Sequence, residues 1–170
     1  NITERIYKIN ADMTNKALRV IAVAYKEIPN NSREYDRDFI FAGFIGMADP
    51  PREEARQAVS ECRRAGIKVV MVTGDHMLTA KSVAEKTEIY SDGDIIVEGN
   101  MLDNMSSTEL NEKLDKISVF ARVSPEHKLK IVEAYKRKGM IAAMTGDGVN
   151  DAPALRAADI GCAMGKTGTD

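Results

Sequence analysis

The chain has 170 residues, 44% of them hydrophobic and 29% charged, enough for one substantial core and a small second one. Its 24 Lys and Arg against 26 Asp and Glu leave a net charge of -2, which excludes electrostatic recruitment of nucleic acid or of an anionic membrane surface. Two cysteines, Cys62 in a helical pattern and Cys162 in an apolar run, fit small buried hydrophobes of a reducing, cytosolic compartment rather than a disulfide framework or a metal site.

From Thr14 the chain passes out of a helix-compatible stretch into Leu18-Arg19-Val20-Ile21-Ala22-Val23-Ala24-Tyr25, whose β-branched content predicts a strand. A polar segment from Pro29 to Asp38 reads as a surface loop, and Phe39 to Met47 as a second strand. Asp49-Pro50-Pro51-Arg52 follows. Two prolines remove two backbone donors and lock φ, so this tetrapeptide is a stiff corner and the predicted domain boundary.

Beyond the corner, helices alternate with short apolar strands. Ala55, Ala58, Val59, Cys62 and Ala65 share one helical face and Gly66 stops that helix. Lys68 to Val72 predicts a strand, Leu78 to Thr87 a helix and Asp94 to Glu98 a strand. Ser106 with Glu109 has the spacing of a capping box for a helix carrying Leu110, Leu114 and Ile117. Ser118 to Val123 is the next strand, and Ser124-Pro125 reads as an N-cap with proline in the first turn of a helix ending at Gly139. Met140 to Met144 and Ile160 to Met164 are the last strands, with a short helix from near Asp151 between them. This rhythm predicts a parallel α/β sheet with ligands at the carboxyl ends of its strands. No apolar run approaches the roughly 18 to 20 residues of a spanning helix, and the N-terminus lacks a signal-peptide pattern, so any membrane role is expected to belong to other parts of a longer polypeptide.

Thr73-Gly74-Asp75 and Thr145-Gly146-Asp147 are the same tripeptide, each directly after a predicted strand. A threonine hydroxyl and a glycine amide are suited to phosphate oxygens, because glycine admits close approach to the backbone. A single copy reads better as a turn followed by a helix cap; two copies at equivalent positions favour a site. The second copy continues as Gly148-Val149-Asn150-Asp151-Ala152-Pro153. Asp147 and Asp151 therefore flank a glycine turn, hard oxygen ligands suited to Mg²⁺, with an Asx turn and a helix cap as the alternative roles. Lys128 is a candidate for neutralising a transferring phosphoryl group, against the alternative of a solvated helix-face lysine. His127 reads as a surface helix residue, and Glu53-Glu54 as a complement to the helix dipole.

Asp49-Pro50-Pro51-Arg52, Met71 to His76, Phe120 to Lys128, and Thr145 to Asp151 followed by Ala152-Pro153-Ala154-Leu155 resemble, in order and spacing, the cytoplasmic signatures of P-type ATPases. The nearest look is to the type II cation pumps, calcium pumps among them, and the resemblance covers essentially the whole chain. It implies a haloacid-dehalogenase-like (Rossmann-like) parallel sheet flanked by helices. Residues 49–170 would form an incomplete phosphorylation domain, and residues 1–48 the end of the nucleotide-binding domain with its return crossing. It implies that Asp147 and Asp151 serve Mg²⁺, that Thr73 and Gly74 contact the phosphoryl group, that Lys128 stabilises its charge and that Asn150 hydrogen-bonds nearby. Arg19, Asp75 and Arg122 would lie near the nucleotide, and Asp49 and Arg52 in the hinge. ATP would be the substrate and Mg²⁺ the cofactor. The partners would be the actuator, the membrane helices and the rest of the nucleotide domain, within a multi-pass membrane protein whose cytosolic part this is.

The chain departs from the family at one point: it contains no Asp-Lys-Thr-Gly-Thr, the motif whose aspartate takes the phosphate. Gly165-Lys166-Thr167-Gly168-Thr169-Asp170 imitates it, with glycine at the nucleophile's place. The 170 residues alone are accordingly expected to be inactive. The nucleophile's strand would lie between those ending at Val72 and Met144. The loss predicts direct pairing of those two strands, a replacement strand from another chain with an oligomer as the result, or poor stability. A free-standing dehalogenase-like phosphatase and a non-catalytic nucleotide-binding module are the competing readings. Calcium is the transported ion that the resemblance favours, with a monovalent cation as the rival.

Overall fold

A computed structural model describes residues 1–16, 18–27, 37–48, 50–146 and 149–165. It divides into two compact units, Asn1–Pro50 and Pro51–Asp170. Asp49, Asp147 and residues 166–170 lie outside the described residues.

In the first unit, helix α1 (Ile2–Asn15) starts from Asn1, whose side chain accepts from the Thr3 N–H while Glu4 closes the capping box. Strands β1 (Arg19–Tyr25) and β2 (Ile40–Met47) pair antiparallel. Gly46 lets this ribbon meet the helix: a Cβ there would stand 2.6 Å from Met13 Cε and 2.8 Å from Leu18 Cδ1. The Phe41 and Phe44 rings meet edge to face at 5.1 Å. Ile21, Tyr25, Phe41, Ile45 and Met47 are exposed despite their β propensity.

The second unit is built of parallel ladders. Its elements are α2 (Glu53–Arg64), β3 (Met71–Val72), α3 (Met77–Lys86), β4 (Ile95–Glu98), α4 (Gly99–Asn104), α5 (Ser107–Lys113), β5 (Ile117–Ala121), α6 (Pro125–Arg137), β6 (Ala143–Gly146), α7 (Ala152–Ala157) and β7 (Ile160–Ala163), with a 3₁₀ turn at Val149–Asp151. Strand β5 is central to one sheet, with β3 and β4 parallel on either side, and all five of its residues are buried. A near-continuous apolar run is what a strand covered on both faces requires. Phe120 and Ile117 pack with Val97, Leu102, Leu110, Leu114 and Ile131 in one core, and Val119 and Ala121 with Ala80 and Ala84 in another. The two alanines, four residues apart on α3, let that helix lie close to the sheet. Ile95 faces Ile117 and Ile96 faces Val119, so Ser118 is an extra residue in β5.

Strands β6 and β7 form a separate parallel pair, covered by Val132 of α6 and Ala154 of α7 around Met144. Gly161 is needed for this packing, since a Cβ there would meet the Leu155 carbonyl oxygen at 2.5 Å. Among the described residues β3 does not pair with β6, so direct pairing of the two strands does not occur. The expected strand from Lys68 to Val72 shortens to Met71–Val72, because only β5 offers it ladder partners.

Local signals placed most helix starts. Ser106 caps α5 through the Glu109 N–H, and Gly66 and Gly139 take the left-handed conformations that stop α2 and α6. Helix α4 has no counterpart among the expected elements, being six residues with no side-chain cap. The expectation that both cysteines are buried is corrected. Cys62 is half-buried and Cys162 exposed, β7 having a strand neighbour on one side only.

Candidate functional site

Thr73-Gly74-Asp75 leaves the carboxyl end of β3 and is tied to the chain leaving β5. The Thr73 N–H donates to the Phe120 carbonyl at 2.9 Å, the Val123 N–H to the Thr73 carbonyl at 3.2 Å, and the Arg122 N–H to the Asp75 carbonyl at 2.9 Å. Within the turn, the Asp75 N–H donates to Thr73 Oγ1 at 3.1 Å and that hydroxyl donates to Asp75 Oδ2 at 3.0 Å. Gly74 is exposed, and a Cβ on it would have only the Val123 carbonyl within reach, at 4.0 Å. The turn thus presents an open backbone surface.

Arg122 occupies the left-handed region at φ 50°, a conformation that costs a side-chain-bearing residue energy and that its N–H bond to the Asp75 carbonyl helps to hold. Its guanidinium reaches Glu98 Oε1 at 3.9 Å, bridging the ends of β4 and β5. Two residues on, Ser124 caps α6 and Pro125 occupies its first turn. The Ser124 hydroxyl beside Glu126, aided by the Glu126 backbone N–H, draws that carboxyl below the ordinary carboxylate range.

Lys128 stands in the first turn of α6 and reaches across to the end of β6, where its Nζ meets Asp151 Oδ1 at 2.5 Å. Both side chains are largely withdrawn from water, at 18% and 7% exposure. The solvated-lysine alternative is therefore corrected. So is the helix-cap role for Asp151: it occupies the N-cap position of α7 but its side chain makes no cap hydrogen bond, the ammonium having claimed the carboxylate. Gly146 clears the ground beneath it. A Cβ there would stand 2.6 Å from Asp151 Cβ and 2.7 Å from Oδ2.

Lys128 and Asp151 thus join the first turn of α6 to the end of β6. Asn150 is exposed in the 3₁₀ turn beside them. Arg52 is exposed ahead of α2 and makes no side-chain cap. Arg19, the first residue of β1, belongs to the other unit. Asp147 and Asp49 fall outside the described residues, among which no three metal-ligating side chains converge.

His127, expected on the surface, is largely covered, at 15% side-chain exposure. It completes a capping box, its Nδ1 accepting from the Ser124 N–H at 3.0 Å while Nε2 lies 2.8 Å from Asp103 Oδ1. Histidine at the third helical position in place of Glu or Gln hid the box from the sequence pattern.

Residues 1–159 match the haloacid dehalogenase-like hydrolases. The chain is 52% identical over 162 residues to the calcium-transporting ATPase of Bacillus subtilis (strain 168), covering 93% of this chain and 18% of that protein. It is 50% identical over 165 residues to the cation-transporting ATPase pma1 of Synechocystis sp., covering 94% and 18%. Against calcium-transporting ATPase 1 of Lactococcus lactis it is 46% identical over 173 residues, covering 99% and 20%. It spans about a fifth of the length of these curated relatives, and no described helix is long and apolar enough to cross a membrane. The chain, with its parallel α/β sheet and the family match running from its first residue through α7, belongs to the haloacid dehalogenase-like hydrolases.

Proposed function

We propose that this chain serves in an ATP-driven cation pump, in which phosphate passes from ATP to an aspartate outside these 170 residues and the phosphoenzyme drives ion transport. The Lys128–Asp151 contact carries the reading, because it joins two motifs 23 residues apart into one charged centre at the strand ends. Relatives of 46% to 52% identity that are named as calcium- or cation-transporting ATPases support it, and the calcium-named ones favour Ca²⁺ as the ion.

In this reading unit Pro51–Asp170 is the phosphorylation domain, Asn1–Pro50 the end of the nucleotide-binding domain, and Asp49 to Arg52 the hinge. Arg19, Asp75 and Arg122 serve the nucleotide. The Thr73 hydroxyl and Gly74 N–H donate to phosphoryl oxygens, Asn150 adds a further hydrogen bond, and the Lys128 ammonium offsets negative charge as it develops. Asp151 keeps that ammonium from swinging into water.

Mg²⁺ fits the donors by type: Asp151 offers a hard carboxylate in a cradle that a Cβ on Gly146 would fill, and Asp147 is the second carboxylate of the motif. Bound there, Mg²⁺ would neutralise phosphate charge and align its oxygens. The test is acid-quenched labelling with radioactive ATP. The intact protein should form a hydroxylamine-labile phosphoenzyme in a Ca²⁺-dependent manner, Lys128→Met should abolish it, and the 170 residues alone should form none. Stoichiometric labile label on the isolated chain, or undiminished labelling of Lys128→Met, refutes the reading.

A further inference from the structure

We propose that His127 is a positioning residue for phosphoryl transfer: as a neutral ring protonated on Nε2 it locks the first turn of α6, and so the Lys128 ammonium, in place. The proposal rests on the role given above to Lys128.

Two bonds assign the tautomer. The Ser124 N–H points at Nδ1 from 3.0 Å, so that nitrogen must offer a lone pair, and the ring proton then sits on Nε2, 2.8 Å from the Asp103 carboxylate. Ser124 Oγ returns the favour by accepting from the His127 N–H at 3.4 Å. The ring is 15% exposed and wedged against Gly99, where a Cβ would meet Nδ1 and Cε1 at 2.9 Å. One imidazole thereby ties α4 to the N-terminus of α6 immediately before the residue that grips Asp151.

Protonation breaks this arrangement because Nδ1 becomes a donor facing the Ser124 donor, and no rotation of the wedged ring restores both bonds. The charged groups about it are Asp103 on α4, Glu98 at the end of β4, Arg122 in the loop, and Glu126, Lys128 and Lys130 on α6. Of these Glu98 is engaged by Arg122, Lys128 by Asp151 and Lys130 by the Leu102 carbonyl. Glu126 lies beside the Ser124 hydroxyl, and Asp103 alone bonds the ring. The chain's second histidine, His76, also caps a helix through Nδ1, accepting from the Leu78 N–H at 3.2 Å, but it is exposed and lies far from Lys128 in sequence.

Glutamine is the ordinary third-position partner in a capping box and does not titrate, which makes His127→Gln the discriminating variant. In the intact protein His127→Gln should keep the wild-type phosphorylation rate, as should His76→Asn. His127→Ala should lower the maximal rate about fivefold with the nucleotide KM unchanged. Ring ¹⁵N shifts on the wild-type chain should report an unprotonated Nδ1 and a protonated Nε2. The opposite tautomer, a nucleotide KM that moves with His127→Ala, or a glutamine variant as slow as alanine each overturns the proposal. Normal phosphorylation of Lys128→Met would instead overturn the role of Lys128, and the tautomer measurement separates the two failures.

Discussion

The Asp151 carboxylate lies directly over Gly146, so close that a single methyl group added to the glycine would meet Oδ2 at 2.7 Å. Two residues five apart in the sequence are therefore held in contact, and the backbone at the end of β6 cannot yield without breaking its ladder to β7, where the Met164 N–H donates to the Gly146 carbonyl at 2.9 Å. Gly146→Ala should cost about 2 kcal/mol of stability, the usual penalty for overpacking, and displace Asp151 from Lys128. Urea denaturation gives the first, and loss of phosphoenzyme in the intact protein the second.

Removing one member of the Lys128–Asp151 pair leaves the other charge with little water. Lys128→Met should destabilise the fold by about 3 kcal/mol, and the double variant with Asp151→Asn should recover a large part of it, since a neutral amide tolerates burial better than a lone carboxylate. A thermodynamic cycle over the four proteins measures this. Additive losses would mean that the pair does not interact in solution.

Asp159 clasps the start of β7 to the residue preceding β6. Its carboxylate accepts from the Ala142 N–H at 2.9 Å, its own N–H donates to the Ala142 carbonyl at 2.9 Å, and Lys136 approaches at 3.3 Å. The Ala142 N–H, with the Lys136 ammonium behind it, holds this carboxyl below the ordinary range. A carboxylate depressed in the folded state contributes fully above the unfolded-chain value of about 3.9 and loses that contribution as pH falls towards the lower folded value. Asp159→Asn should flatten the stability profile between about pH 4 and 2 and leave its slope near pH 7 unaltered. An unchanged acid slope would remove the clasp from the account of acid stability.

Ser118, the extra residue in β5, buries a hydroxyl that has no hydrogen-bond partner among the described residues. Ser118→Ala should stabilise the chain by about 1 kcal/mol, because it removes an uncompensated polar group without altering the bulge. A measured loss of stability would reveal a partner that the hydroxyl finds in solution.

The sequence by itself determined the elements whose causes are local. Ser124 and Pro125 start α6, Ser106 starts α5, Gly66 and Gly139 end their helices, and the runs expected as strands at 94–98 and 118–123 hold β4 and β5, since caps and side-chain periodicity act within a few residues, although Ile117, expected on the helix, opens β5. Its motifs also carried the family. Only the tertiary structure decided which partners those motifs found. That Asp151 answers Lys128 rather than capping α7, that His127 braces α4, and that β3 shrinks to two residues without pairing to β6 all depend on groups far apart in the chain. A carboxylate bonds whichever donor the fold brings nearest, and a strand extends only as far as a neighbour supplies hydrogen bonds, so neither outcome is written in the local pattern.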